Sequence, residues 1–307
     1  MTLVVCRAAT KVYGAGRRRK AALENCSFTA EAGEIIGVVG PNGAGKTTLL
    51  SLIAGELPLT AGELSVVGYR AGTRAARRAV GFAPDPPILP PDLTGTEWLT
   101  YLASHRARSA ERRARLVAWA IGVAELEPFV GRRIGTYSRG MTQRLGLAAA
   151  ALARGAVLAL DEVLSGVDPL VQRRLREQIA RLANSGRAVI IASHDLAALE
   201  RLATRVLVLW EGRMVADVST ARLVNERVAE LTLAGSALGR AERLLLRFPG
   251  TVRTGQGVAV RLTGGRTVEE VLAACREERI SVAASRVRYR ALEDILLEAA
   301  ALHGEPT

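Results

Sequence analysis

Short apolar blocks, separated by longer stretches of helical spacing, set the rhythm of this chain. The runs IIGVV (Ile35–Val39), AVLAL (Ala156–Leu160), VIIA (Val189–Ala192) and RVLVLW (Arg205–Trp210) each predict a short buried strand. Between the first and second of these runs, TEWLTYLASHRARS and ERRARLVAWAIGVAELEPF repeat at helical spacing, with Leu116, Trp119 and Val123 on one face and arginines mostly on others. The preceding PPILPPDLTG is a stiff proline-rich loop that cannot join a sheet. In YSRGMTQR, Ser138 is placed to cap a helix beginning at Arg139, although Gly140 in its first turn is a poor helix former.

Past RVLVLW and the Glu211-Gly212 turn the character changes. ARLVNERVAELTLAG predicts an extended run. SALGRAERLLLRF predicts a helix with Leu238, Ala241, Leu244, Leu245 and Phe248 on one side, and GVAVRL alternates as a strand. Thr267 to Glu270 forms a capping box ahead of the helix TVEEVLAACREE, after which RISVAAS and ALEDILLEAA close as strand and helix. That order, βαββαβ with a final helix, predicts a small split α/β module over residues 221–307 following a larger domain over 1–220.

Composition changes this picture little. With 307 residues, 49% of them hydrophobic, a buried core is expected; aromatics at 4% leave it to Ala, Val, Leu and Ile. The net charge of +12 permits an anionic partner, but apart from Lys11, Lys20 and Lys46 every basic side chain is arginine, which points to a chain-wide bias. The cluster Arg17-Arg18-Arg19-Lys20 reads as a solvated loop. Cys6, Cys26 and Cys275 are isolated, so neither a disulfide framework nor a metal cluster is indicated. No stretch approaches a membrane span and the N-terminus lacks a signal-peptide pattern, so a cytoplasmic chain, peripheral at a membrane face, is expected.

The candidate chemistry lies at the ends of the apolar blocks. Ile35–Val39 runs into GPNGAGKTT, a phosphate-binding loop in its required strand–loop–helix setting. Gly40, Gly43 and Gly45 let the backbone fold around phosphate oxygens, with Asn42, Ala44 and Thr48 completing the loop. The following helix adds its positive end, Lys46 a mobile charge for the β- and γ-phosphates, and Thr47 a hydroxyl for Mg²⁺. Ala156–Leu160 ends in Asp161, suited to hold Mg²⁺, and Glu162, suited to deprotonate an attacking water. VIIASHD delivers His194 to the same sheet edge; His105 and His303 sit in polar surroundings.

Together these motifs resemble the ATP-binding subunit of ABC transporters. GPNGAGKTT, LALDE, ASHD, YSRGMTQRLGLA and SGVDP (Ser165–Pro169) stand in that family's order over about residues 2 to 218. The resemblance implies an α/β P-loop NTPase cassette: a mixed sheet core, an antiparallel β subdomain and a helical subdomain over about 86–150, with the α+β module appended. It implies ATP and Mg²⁺, with Tyr13 stacked on adenine and Asp168 in the loop that signals between partners. Two cassettes would pair head to tail, the helix start at Ser138 and Gly140 contacting the γ-phosphate held by the other copy. The implied partners are an integral membrane subunit, received by the helical insert, and a second copy or similar cassette; no nucleic acid is expected.

Three positions depart from the family's pattern. Ser-Gly-Gly-Gln is replaced by Ser138-Arg139-Gly140-Met141, a glutamine that touches Mg²⁺ by Asp85, and Pro-Thr after Glu162 by Val163-Leu164, read as packing. The first two resemble a branch linked to export. A soluble ATPase of the same type acting on nucleic acid or ribosomes is the alternative, but the chain lacks an inserted coiled coil and a second phosphate loop. A P-loop kinase would leave YSRGMTQR and SGVDP without a role.

Overall fold

The computed structural model describes residues 1–14, 19–153, 155–223, 225–234, 243–244 and 247–303. Contacts divide the chain into Met1–Asp217 and Val218–Thr307.

In the first unit, β1 (Thr2–Tyr13), β2 (Lys20–Glu31), β4 (Ala61–Val66) and β5 (Tyr69–Arg70) form a four-stranded sheet in the order β2-β1-β4-β5, antiparallel throughout. A six-stranded sheet has the order β10-β9-β3-β8-β7-β6, built from β3 (Ile35–Val39), β6 (Val80–Ala83), β7 (Val157–Asp161), β8 (Ala188–Ala192), β9 (Arg205–Trp210) and β10 (Arg213–Ser219). Strands β6, β7, β8, β3 and β9 are parallel. All four apolar blocks of the sequence are strands here. Every residue of β3, β7 and β8 is buried, as a sheet covered on both faces requires. One core joins the two sheets through Val4, Phe28, Ile36, Leu50, Ile53, Val66 and Ile190, with α1 (Lys46–Ala54) contributing its apolar residues.

After α2 (Arg74–Arg78) and β6, the helical insert comprises α3 (Gly95–Ser104), α4 (Ala110–Ala124) and α5 (Arg139–Leu152). Thr94 and Glu97 close a capping box on α3, and Ser109 caps α4. Their core is Leu99, Leu116, Ala120, Leu126, Phe129 and Leu145. Trp119, expected on the buried face of α4, is instead 39% exposed at its rim, with the Arg187 guanidinium 5.8 Å from its ring centre. An indole keeps its N–H solvated more cheaply at a rim than in a core of alanine and leucine. The unit is completed by α6 (Pro169–Asn184) and α7 (Leu196–Glu200).

The second unit opens with a correction to the extended run expected from Ala221. A short helix, α8 (Thr220–Leu223), precedes the strand β11 (Arg227–Leu233). With β12 (Val252–Thr254), β13 (Gly257–Leu262) and β14 (Val282–Tyr289) it forms an antiparallel sheet ordered β12-β13-β11-β14. On one face, Ala229, Leu231, Val258 and Val260 pack with Leu244, Phe248 and the helix α9 (Val268–Glu277); Thr267 and Glu270 close the expected capping box. On the other, Leu297 of α10 (Leu292–His303) packs on Val228, Val252 and Ala259. Most of the helix expected over Ser236–Phe248, with Leu238, Ala241 and Leu245, lies outside the described residues, as do Arg17 and Arg18.

The insert meets the sheet where β6 has no side chain. A Cβ at Gly81 would lie 2.1 Å from the Ala150 carbonyl oxygen of α5. Gly81→Ala should therefore lower stability by about 1–3 kcal/mol, the range for overpacking. A thermal midpoint equal to that of the unsubstituted chain would show that α5 does not bear on this strand.

Candidate functional site

Because β3, β8 and β7 are neighbours and parallel, their carboxyl ends deliver three motifs to one edge of the sheet. There a cleft of about 330 Å³ is lined by Ala22, Asn42 to Thr48, Asp85, Arg139, Asp161, Glu162 and His194. The loop after β3 needs its glycines for close approach as well as for conformation. Gly40 has φ +152° and a Cβ there would stand 2.1 Å from the Leu209 carbonyl oxygen; Gly45 has φ +104° and would meet Ala22 O at 2.4 Å. The loop leads into the N-terminus of α1, whose first backbone N–H groups are unbonded within the helix and suit an anion. Lys46 Nζ donates to Gly40 O (2.6 Å) and Pro41 O (3.0 Å), folding over its own loop. Burial lowers its pKa, against the opposing pull of Glu162 and Asp161.

Asp161 is 1% exposed, and its Oδ2 has no hydrogen-bond partner among the described residues. Burial pushes its pKa up to about 6, helped by the charges of Glu162 and Asp85; a hydrogen bond from Thr47 and the charge of Lys46 act the other way. A buried carboxylate oxygen without a donor, beside a helix-start hydroxyl, fits a hard divalent cation bound through oxygen. Asp161 and Thr47 are the residues that would hold Mg²⁺.

Glu162 follows in the left-handed region, φ +51°, uncommon for a residue with a side chain. Its Oε2 accepts from Ser165 Oγ, from Ser193 Oγ (3.5 Å) and from His194 Nδ1 (2.9 Å). All three fall on one oxygen, and no described contact falls on Oε1. The carboxylate is thus held in orientation with one oxygen left to act.

The remaining expected residues divide. Asp85 reaches the cleft, where it accepts from Gln143 Nε2 (2.6 Å) and Arg139 Nη2 (3.2 Å), both on α5 of the same chain. These partners were not legible in the sequence: Arg139 stood out only as a departure from the family's pattern, and Gln143, fully buried, looked like an ordinary helix residue. Ser138 caps α5, its Oγ accepting from Met141 N (3.4 Å), but neither Ser138 nor Gly140 lines the cleft. Gly140 is explained by packing, since a Cβ there would meet Gly166 O at 2.5 Å. Asp168 caps α6, accepting from Leu170 N (2.9 Å), and also stands outside the cleft. Tyr13, at the end of β1 with 42% exposure, carries Lys11 Nζ 5.1 Å from its ring centre and does not line the cleft either. Val163 and Leu164 are buried, which accounts for their apolar character.

Comparison with known proteins agrees with this arrangement. The profile of the family described as "ABC transporter" matches residues 23–165. An ABC transporter ATP-binding protein of Synechocystis sp. is 33% identical over 241 residues, covering 75% of this chain and 68% of the relative. The Nod factor export ATP-binding protein I of Burkholderia lata is 36% identical over 211 residues, covering 68% and 69%. Among solved structures, a dimeric bacterial ABC transporter cassette superposes with a TM-score of 0.66 at 25% identity, covering 71% of this chain and 99% of that one.

The raised pKa of Asp161 makes a prediction with a definite sign. An unfolded carboxyl loses its proton near pH 4, whereas Asp161 keeps its proton to about 6. The folded chain therefore loses stability as pH rises through that window, and the loss is complete above it. Asp161→Asn should melt higher than the unsubstituted chain at pH 7.5 without nucleotide or metal, by an amount on the order of 1–3 kcal/mol. The gain should vanish near pH 4. Equal melting at both pH values would show that the carboxylate carries no burial penalty.

Proposed function

Since this chain belongs to the ABC transporter ATP-binding family, we propose that its ATPase activity powers export through a separate membrane subunit by nucleotide-driven pairing of two cassettes. The observation that carries the reading is an incomplete site. Lys46, Thr47, Asp161, Glu162 and His194 converge on one cleft, while Ser138 and Gly140, the second phosphate-friendly helix start, do not line it. A head-to-tail second copy, or a similar cassette, would bring its own α5 N-terminus to the γ-phosphate held here. The dimeric cassette among the solved structures supports the pairing of two cassettes.

Within one site the roles follow from the contacts. The backbone N–H groups of residues 43–48 and the Lys46 ammonium, exchanging its loop carbonyls for phosphate oxygens, bind and orient the triphosphate. Mg²⁺, when bound, neutralises phosphate charge; Asp161 and Thr47 would hold it, with Asp85 joining only if it leaves Arg139 and Gln143. Glu162 takes the proton of the attacking water on Oε1 while Ser165, Ser193 and His194 fix Oε2. Tyr13 supplies the exposed ring for adenine and Asp168 fixes the start of α6 beside the partner-facing loop.

Export is supported by the relative named for Nod factor export and by the Asp85 and Ser138-Arg139-Gly140-Met141 pattern. None of the described helices is long and apolar enough to cross a membrane; the route for the transported molecule is assigned, in this reading, to the membrane subunit. The proline-rich loop after Asp85, with Ile88 87% exposed, and the helical insert are the surface proposed to receive that subunit at the membrane face.

Glu162→Gln should bind ATP with undiminished affinity, turn over at least about a hundredfold more slowly, and accumulate as an ATP-held dimer in light scattering. Adding Ser138→Glu should abolish that dimer by setting a carboxylate against the γ-phosphate. Normal turnover in Glu162→Gln would remove it as the base; an ATP-loaded Glu162→Gln that stays monomeric beside its membrane partner would overturn the pairing.

A further inference from the structure

We propose that the free edge of the second unit's sheet is a joint between two copies of this chain, formed by antiparallel pairing of β14 with β14 and independent of nucleotide. Among the described residues β14 has a neighbour, β11, on one side only. Residues 283–287 of β14 are exposed. Half of an edge strand's peptide groups point outward unpaired, a template for another strand.

What selects a second copy is the distribution of bulk along this one strand. Beside its first half, on the α9 face, lies a shallow groove of about 750 Å³ whose lining includes Leu272, Ile280, Ala283 and Ser285, with the Arg276 and Arg279 side chains also at it. Its second half carries two large exposed side chains, Val287 (45%) and Tyr289 (60%). Val287 pairs with Ala229 and Ser285 with Leu231, both part of the core under α9, so Val287 and Tyr289 stand on the face that bears the groove. A twofold axis normal to the sheet keeps the two α9 faces on one side. Centred on Ser285, it sets Val287 of each copy opposite Ala283 of the other, and carries Tyr289 past the start of the other's β14 at Val282. Large residues then meet small ones and enter the groove twice over, the self-complementarity an isologous contact requires.

Charge selects the same register. Arg286 and Arg288 project to the other face, where Glu230 binds both (2.8 and 2.9 Å) and Asp294 binds Arg288 (2.7 Å). Burial works against ionisation of Glu230, but the hydrogen bonds from Arg288 and Arg286 overcome it and hold its pKa below the usual range. Centring on Arg286 would oppose like charges; centring on Ser285 sets Arg286 against Ala284 of the other copy. The two arginines of the strand itself, which would otherwise protect the edge by repulsion, are already paired within each module.

The test uses the full chain carrying Ser285→Cys, since Cys6, Cys26 and Cys275 are buried. Residues directly opposed in an antiparallel pair have Cα atoms about 4.5–5.5 Å apart, within disulfide reach. Oxidation without nucleotide should give a covalent dimer, equally in a Lys46→Ala background where ATP-driven pairing is disabled. Ala283→Cys and Val287→Cys should each stay monomeric alone but link when mixed. In light scattering, Val287→Glu with Tyr289→Ala should weaken the nucleotide-free dimer at least about tenfold. A Ser285→Cys protein that stays monomeric while its thiol reacts freely with a maleimide would overturn the proposal. So would linkage only with ATP, or linkage in membranes to a protein of different mass. Cassette pairing is read separately, in Glu162→Gln carrying Val287→Glu and Tyr289→Ala: failure of that protein to pair with ATP would bear on cassette pairing alone.

Discussion

A carboxylate that the fold buries and does not satisfy is the constraint around which the first unit is organised. Asp161 sits at the end of the innermost block of strands with one oxygen lacking a donor, and burial drives it toward its neutral form. The cost of that burial is intrinsic to the fold, because β7 lies between β6 and β8 and cannot turn its last residue to water. What relieves it lies within reach: the Thr47 hydroxyl and the Lys46 ammonium. The cleft is least comfortable when empty, and that discomfort favours filling it.

Around this point the functional groups sort by how firmly they are held. Glu162 has three donors on one oxygen and a backbone in an uncommon conformation, so its direction is dictated by its neighbours. Among the described residues Lys46 donates to two carbonyls of its own loop, an arrangement easily exchanged for phosphate. Asp85 is held from α5, which makes it a tie between the helical insert and the cleft.

Much of this was legible in the sequence because the motifs are governed by local rules. A strand running into GPNGAGKT needs its glycines for approach and left-handed backbone, and the structure shows Gly40 and Gly45 under both demands. Caps at Ser138 and Thr267 followed from short-range geometry. What escaped reading depends on contacts between distant segments. Nothing in the pattern around Asp85 announces Arg139 and Gln143, 54 and 58 residues away, as its partners. Trp119 had the spacing of a core residue but lies at a rim, since period alone does not say how deep a helix face sinks. Ala221 to Leu223 read as extended, and four residues of helix, Thr220–Leu223, hold too few side chains to impose a period.

The contact between Gly140 and Gly166 ties the two ends of the catalytic apparatus in a single chain. With no side chain at Gly140, the first turn of α5 rests against the carbonyl of the residue that follows Ser165, and Ser165 is one of the donors to Glu162. A tug on that turn from outside would reach Glu162, the proposed base, through two residues of backbone. Under the proposed pairing, a helix start held by a neighbour's nucleotide would thus pull on the Glu162 of its own chain.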